Sequence, residues 1–91
     1  MRTVHVVING RVQGVGFRAF VVRNANELHL TGWVRNRRDG RVEAVLQGSS
    51  EAVADMIERC RRGPRFSEVE DVMVDDRGDE RFASFSVHPT A

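Results

Sequence analysis

From Val4 to Ile8 the chain is β-branched except at His5. Val4, Val6 and Ile8 fall on one face of an extended segment and His5 and Val7 on the other, the pattern of a first strand. A glycine-studded stretch follows, Gly10-Arg11-Val12-Gln13-Gly14-Val15-Gly16. Phe17, Phe20, Val21, Ala25 and Leu28 then recur at three- and four-residue steps, as the buried stripe of a helix does, and this helix is expected to end near His29. His29 would take the left-handed C-cap place where glycine is usual, at a modest conformational cost.

Thr31 to Asn36 reads as a second strand and Arg41 to Gln47 as a third, with Val42, Ala44 and Leu46 on one face and Glu43 and Val45 on the other. Between them Arg37-Arg38-Asp39-Gly40 supplies the Asp-Gly step favoured in tight reversals, which predicts an antiparallel hairpin. Ser49 or Ser50 can cap a second helix that turns Val53, Met56, Ile57 and Cys60 inward, and Gly63-Pro64 stops it. Val69 to Val74 predicts a fourth strand, residues 75 to 80 an acidic turn around Gly78, and Phe82 to Val87 a short last strand. Strand, helix, strand, strand, helix, strand suits a split β-α-β sandwich, an antiparallel sheet covered by two helices on one face. Ninety-one residues allow one such core, so residues 1–91 are expected to form a single domain.

Composition narrows the chemistry. Fourteen basic residues, all arginine, stand against 13 acids, for a net charge of +1. The sum hides a division: residues 1–41 hold eight arginines against Glu27 and Asp39, and residues 42–91 hold six arginines against eleven acids. Without lysine, a Walker A loop and any Schiff-base chemistry are excluded, and without tyrosine so is a Tyr general acid. Apolar runs fall far short of the roughly 20 residues that cross a bilayer, and nothing reads as a signal peptide, so a cytoplasmic protein with no membrane partner is expected. One cysteine and three scattered histidines give no disulfide and no metal-ligand spacing, so neither a metal nor another cofactor is expected.

Two places could carry chemistry. The glycines of the first loop would let successive backbone N–H groups converge on an anion at the positive end of the first helix, and the planar fork of Arg18 would suit two phosphate oxygens. Asn36, at the end of the second strand, could accept from a water while donating to a substrate oxygen. Spacing alone leaves the plainer readings open: Gly14 and Gly16 as a tight turn, Arg18 as a surface arginine, Asn36 as a turn residue bonded to its own backbone. No carboxylate or histidine lies near Arg18 in sequence, so a general base has no visible owner, and a substrate with its own good leaving group is easier to serve.

Ile8-Asn9-Gly10-Arg11-Val12-Gln13-Gly14-Val15-Gly16-Phe17-Arg18 resembles the first signature of the acylphosphatase family throughout, and Gly32-Trp33-Val34-Arg35-Asn36, followed by Gly40, Val42 and Gly48, resembles the second. The resemblance spans the chain end to end. It implies a ferredoxin-like sandwich and metal-independent hydrolysis of a carboxyl-phosphate anhydride bond. Arg18 corresponds to the phosphoryl-binding arginine, assisted by the backbone N–H groups of Gly14, Val15, Gly16, Phe17 and Arg18, and Asn36 to the asparagine that orients the attacking water. Ala19, where an aromatic is common, and His29, where glycine is common, are the departures.

Blander readings suit the remaining residues. Trp33 has no aromatic neighbour in the strand pattern and reads as a packed or partly exposed strand aromatic rather than a base-stacking platform. His5, His29 and His88 read as structural or surface groups, Cys60 as core, and Arg59, Arg61, Arg62 and Arg65 as the solvated end of the second helix. A competing class is an RNA-binding sandwich, but the aromatic pairs such modules place on central strands are missing from strands one and three. A third reading is an anion-binding or regulatory domain of a larger enzyme. The expected partner is a small-molecule acyl phosphate, with phosphate or a similar anion in the site, no nucleic acid, and a monomeric state.

Overall fold

The computed structural model describes residues 1–78 and 80–91. Its elements are β1 (Arg2–Arg11), α1 (Phe17–Glu27), β2 (Thr31–Asn36), β3 (Val42–Gly48), α2 (Ser50–Arg62), β4 (Glu68–Asp76) and β5 (Phe85–Val87). The sheet order is β4-β1-β3-β2-β5. The first four strands pair antiparallel, the ferredoxin-like βαββαβ arrangement, and the short β5 adds to the β2 edge in parallel. That direction follows from the route of the chain, which returns from β4 across the sheet before it reaches β2.

The core lies between one sheet face and the two helices. Val4, Val6 and Ile8 of β1 and Val42, Ala44 and Leu46 of β3 are fully buried against Phe17, Val21 and Ala25 of α1 and Val53, Met56, Ile57 and Cys60 of α2. Burying a side chain of this size stabilises the fold by about 1.5–3 kcal/mol before entropy is set against it. Ser49 caps α2, its hydroxyl accepting from Ala52 N–H at 3.1 Å. As expected, α1 is followed by a left-handed His29, at φ 57°, although the helix itself stops at Glu27.

Several boundaries differ from the pattern for identifiable reasons. β1 runs on to Arg11 through an irregularity at Asn9/Gly10, which breaks the alternation while pairing with β4 continues. At Gly10, φ 129°, a side chain would run into the Glu68 carbonyl of the neighbouring strand, so only glycine fits. Asp75 and Asp76 belong to β4 rather than to a turn, because their backbone pairs with His5 and Val4; Asp79, which the sequence pattern also assigns to that turn, lies outside the described residues. β5 starts at Phe85 and not Phe82, since the Phe82 N–H is diverted to the Gln47 side-chain oxygen at 3.2 Å.

β3 is the central strand and is buried on both faces. Glu43, Val45 and Gln47, on the face without helices, are only 7%, 8% and 4% exposed. Gln47 is held there from two directions, donating to the Thr3 hydroxyl of β1 at 2.9 Å and to the Glu80 carbonyl beyond β4 at 2.6 Å.

Burial pushes the Cys60 thiol up to about 12 and closes it off from solvent. A chromogenic disulfide reagent at about pH 8 should therefore leave the native protein unlabelled and titrate one thiol in denaturant. Stoichiometric labelling of the folded protein would contradict this packing.

Candidate active site

β1 and α1 are joined by Val12 to Gly16. Val12 is fully buried and Val15 packs against the core, so the loop is pinned from beneath by apolar contacts. Gly14 and Gly16 lie in the left-handed region, at φ 74° and 79°, and a Cβ on either would meet nothing within 4 Å. Conformation, not crowding, demands glycine here, and the space above the loop is open. Gly16 is also the N-cap of α1 and brings no side chain to it, so the first-turn N–H groups of the helix, which have no intrahelical acceptor, are left for a ligand.

Arg18 sits exposed in the first turn of α1. The pleat of β2 turns Val34 into the core and Asn36, two residues on, to the same side at the end of the strand. The result is one cleft of about 370 Å³ that gathers Gly14, Gly16, Phe17, Arg18 and Asn36, with Gln13, Ala19 and Val87 on its walls. Val15 does not line it. Among the described residues Arg18 is the one charged side chain in that lining.

Several other arginines of the first half are drawn onto acids instead, Arg2 onto Asp76 among them at 3.3 Å. Arg11 pairs with Glu68 at 3.0 Å, Arg35 with Glu43 at 2.7 Å, and Arg37 and Arg41 share Asp39 at 3.2 and 2.6 Å. Hydrogen bonds from the Arg41 side chain and backbone hold the Asp39 carboxyl down at about 2. Arg59 is not a merely solvated helix end either: it ties α2 to α1 through Glu27 at 2.7 Å and Asn24 at 2.9 Å.

A second hollow, about 380 Å³, opens on the helix-free face of the sheet. Beneath it Glu43 is clamped by His5 at 2.6 Å and Arg35 at 2.7 Å. Trp33 does have a ring neighbour, one that the strand pattern could not reveal: His88 stacks on it at 4.8 Å, and the Arg35 guanidinium lies 4.9 Å from its centroid. None of the three histidines lines the Arg18–Asn36 cleft.

Gln13 is the site residue that sequence reasoning left without a role. Its side-chain amide donates to the Arg37 carbonyl at 2.6 Å and to the Arg41 carbonyl at 2.9 Å, spanning from the first loop to the β2–β3 turn. Its position beside the glycines was the available signal, but its partners lie more than twenty residues away.

The chain has recognisable relatives. A family model described as Acylphosphatase matches residues 4–87. An acylphosphatase of Nitrobacter winogradskyi is 61% identical over 67 residues, covering 74% of this chain and 68% of that one. An acylphosphatase of Alcanivorax borkumensis is 43% identical over 88 residues, covering 97% and 96%. The crystal structure of acylphosphatase from Bacillus subtilis superposes with a TM-score of 0.93 at 42% identity, over 97% of this chain and 99% of that one.

Burial works against the charge on Glu43, but the hydrogen bonds from His5 and Arg35 outweigh it and hold the carboxyl below its ordinary value of 4.5. A depressed folded-state value means stability that is present above the unfolded value and lost as pH falls through the folded one. Urea unfolding of the wild type and Glu43→Gln, in steps from about pH 6 to about pH 3, should show the wild type's advantage shrinking as acid is added. A difference that stays constant with pH would refute the assignment.

Proposed function

The chain belongs to the acylphosphatase family, and on that premise we propose that the cleft between the first loop and Asn36 is its catalytic centre. The protein is a hydrolase of the acylphosphatase type: water converts an acyl phosphate to a carboxylate and inorganic phosphate. In our reading the phosphoryl group lies over the left-handed loop, taking hydrogen bonds from the backbone N–H groups of residues 14 to 18 and from the Arg18 guanidinium. Asn36 accepts a hydrogen bond from the attacking water and holds it in line with the scissile bond.

The new bond forms between the water oxygen and phosphorus. The bond from phosphorus to the acyl oxygen breaks, and the carboxylate leaves with the electron pair. A carboxylate is a weak base, so the leaving group needs little acid assistance, and the water's proton passes to a phosphoryl oxygen of the substrate. Catalysis is then positioning plus charge stabilisation by preorganised donors as negative charge shifts on the equatorial oxygens. The observation that carries this reading is the meeting, in one cleft, of Arg18, two left-handed glycines and Asn36, with no carboxylate among the described residues of the lining to neutralise the arginine. Charge compensation by arginine and amides leaves no step that calls for a metal. Every group used belongs to one chain, so we take the monomer, a single domain over residues 1–91, as the working unit.

Hydrolysis of benzoyl phosphate in the presence of a chelator tests the reading. Arg18→Gln should raise KM and lower kcat together, by on the order of a hundredfold or more in kcat/KM, whereas Asn36→Ala should act mainly on kcat. Wild-type kcat/KM in the Arg18 variant would sink the assignment. With no histidine in the cleft, the rate should be flat from about pH 5 to about pH 8. A sharp limb that disappears on replacing one histidine would show that a base has been overlooked.

A further inference from the structure

We propose that Gln13 is a positioning residue for the hydrolysis, fixing the water-holding Asn36 relative to the phosphate loop. This inference rests on the hydrolytic reading of the cleft. The two halves of that reaction sit on separate segments. The phosphoryl group belongs to the β1–α1 loop and the water to the end of β2, and the distance between them decides whether the attack is in line.

Gln13 immediately precedes Gly14, and its two amide hydrogens go to the carbonyls of Arg37 and Arg41. Arg37 directly follows Asn36, and Arg41 directly precedes Val42, the cross-strand partner of Asn36. The amide thus brackets the water-holding residue from both strands of the hairpin. Both acceptors are carbonyl oxygens, so the nitrogen of the side chain must face them, and its orientation is determined. The Arg41 carbonyl also accepts from Arg37 N–H at 2.8 Å, the bond that closes the hairpin, so Gln13 grips the turn where it is already stiff. Ala91 braces the same turn, donating to the Asn36 carbonyl at 3.1 Å and accepting from Arg38 N–H at 2.7 Å. The Gln13 bonds are part-buried and lie on the wall of the cleft itself, where displacing the hairpin would move Asn36 and leave the loop amides and Arg18 in place.

Replacing the amide should therefore weaken turnover and spare phosphate binding. Gln13→Met keeps the length of the side chain without its donors, and Gln13→Asn keeps the donors on a stem too short to reach. With benzoyl phosphate, each should lower kcat on the order of ten- to a hundredfold, since a misplacement of about 1 Å suffices for that. The inhibition constant of inorganic phosphate should stay within about twofold. In an Asn36→Ala background, Gln13→Met should have little further effect on kcat, because the group it positions is gone. Several results would overturn the proposal: wild-type kcat in both variants, loss of phosphate affinity in parallel with kcat, or independent, multiplicative effects in the double variant. Loss of the folded circular-dichroism signal in both variants would make the residue structural and would overturn the proposal equally. A wild-type protein that fails to hydrolyse benzoyl phosphate would instead remove the hydrolytic reading, and this inference with it.

Discussion

The site depends first on strand register. Ile8 of β1 faces Val42 of β3, and Val42 faces Asn36 of β2, so the three residues form one row across the sheet on the side of the helices. Two strand spacings, about 10 Å, separate Ile8 from Asn36. The chain beyond Ile8 turns up through the glycine loop to α1, which brings Arg18 over the end of that row. A slip of one residue in either pairing would send Asn36 to the opposite face, away from Arg18. What prevents the slip is burial. Val4, Val6 and Ile8 must meet the helices together with Ala44, Leu46 and Val34, and a one-residue slip would turn one strand's share of that set away from the core.

The helix-free face is organised by polar contacts. Glu43 lies at the centre of the sheet and keeps its charge because His5 on one neighbouring strand and Arg35 on the other both reach it. The Gln47 amide closes the far end of the same face with bonds to Thr3 and Glu80. Removing one partner of such a buried group is expensive, which makes this face as specific about its pairing as the apolar one.

The charge division of the chain takes on a different meaning in three dimensions. The excess of arginine in the first half is drawn down by acids across strands and turns, Glu68, Glu43 and Asp39, and only Arg18 among the described residues carries its charge into the cleft. The basic half is not a broad field facing the substrate. Among the described residues five of its eight arginines, Arg2, Arg11, Arg35, Arg37 and Arg41, are partnered by acids, and Arg35 in particular points to the opposite side of the sheet from Asn36 because adjacent strand residues alternate.

Local patterns determined most of the elements. Spacing of Phe17, Val21 and Ala25 and of Val53, Met56, Ile57 and Cys60 located both helices and their buried stripes; the run Thr31–Asn36 located β2; two glycine motifs around Arg18 and Asn36 marked the candidate site and its family. These were readable because helix and strand periodicity, turn glycines and caps act over a few residues. The tertiary structure decided what depends on distant partners. It continued β1 through its irregularity, buried the second face of β3, set His88 against Trp33, drew arginines of the first half onto their acids and set the amide of Gln13 across to Arg37 and Arg41. A side chain's type and position could be read from the sequence, but its partners were chosen only when the sheet closed and brought residues far apart in the chain within hydrogen-bonding distance.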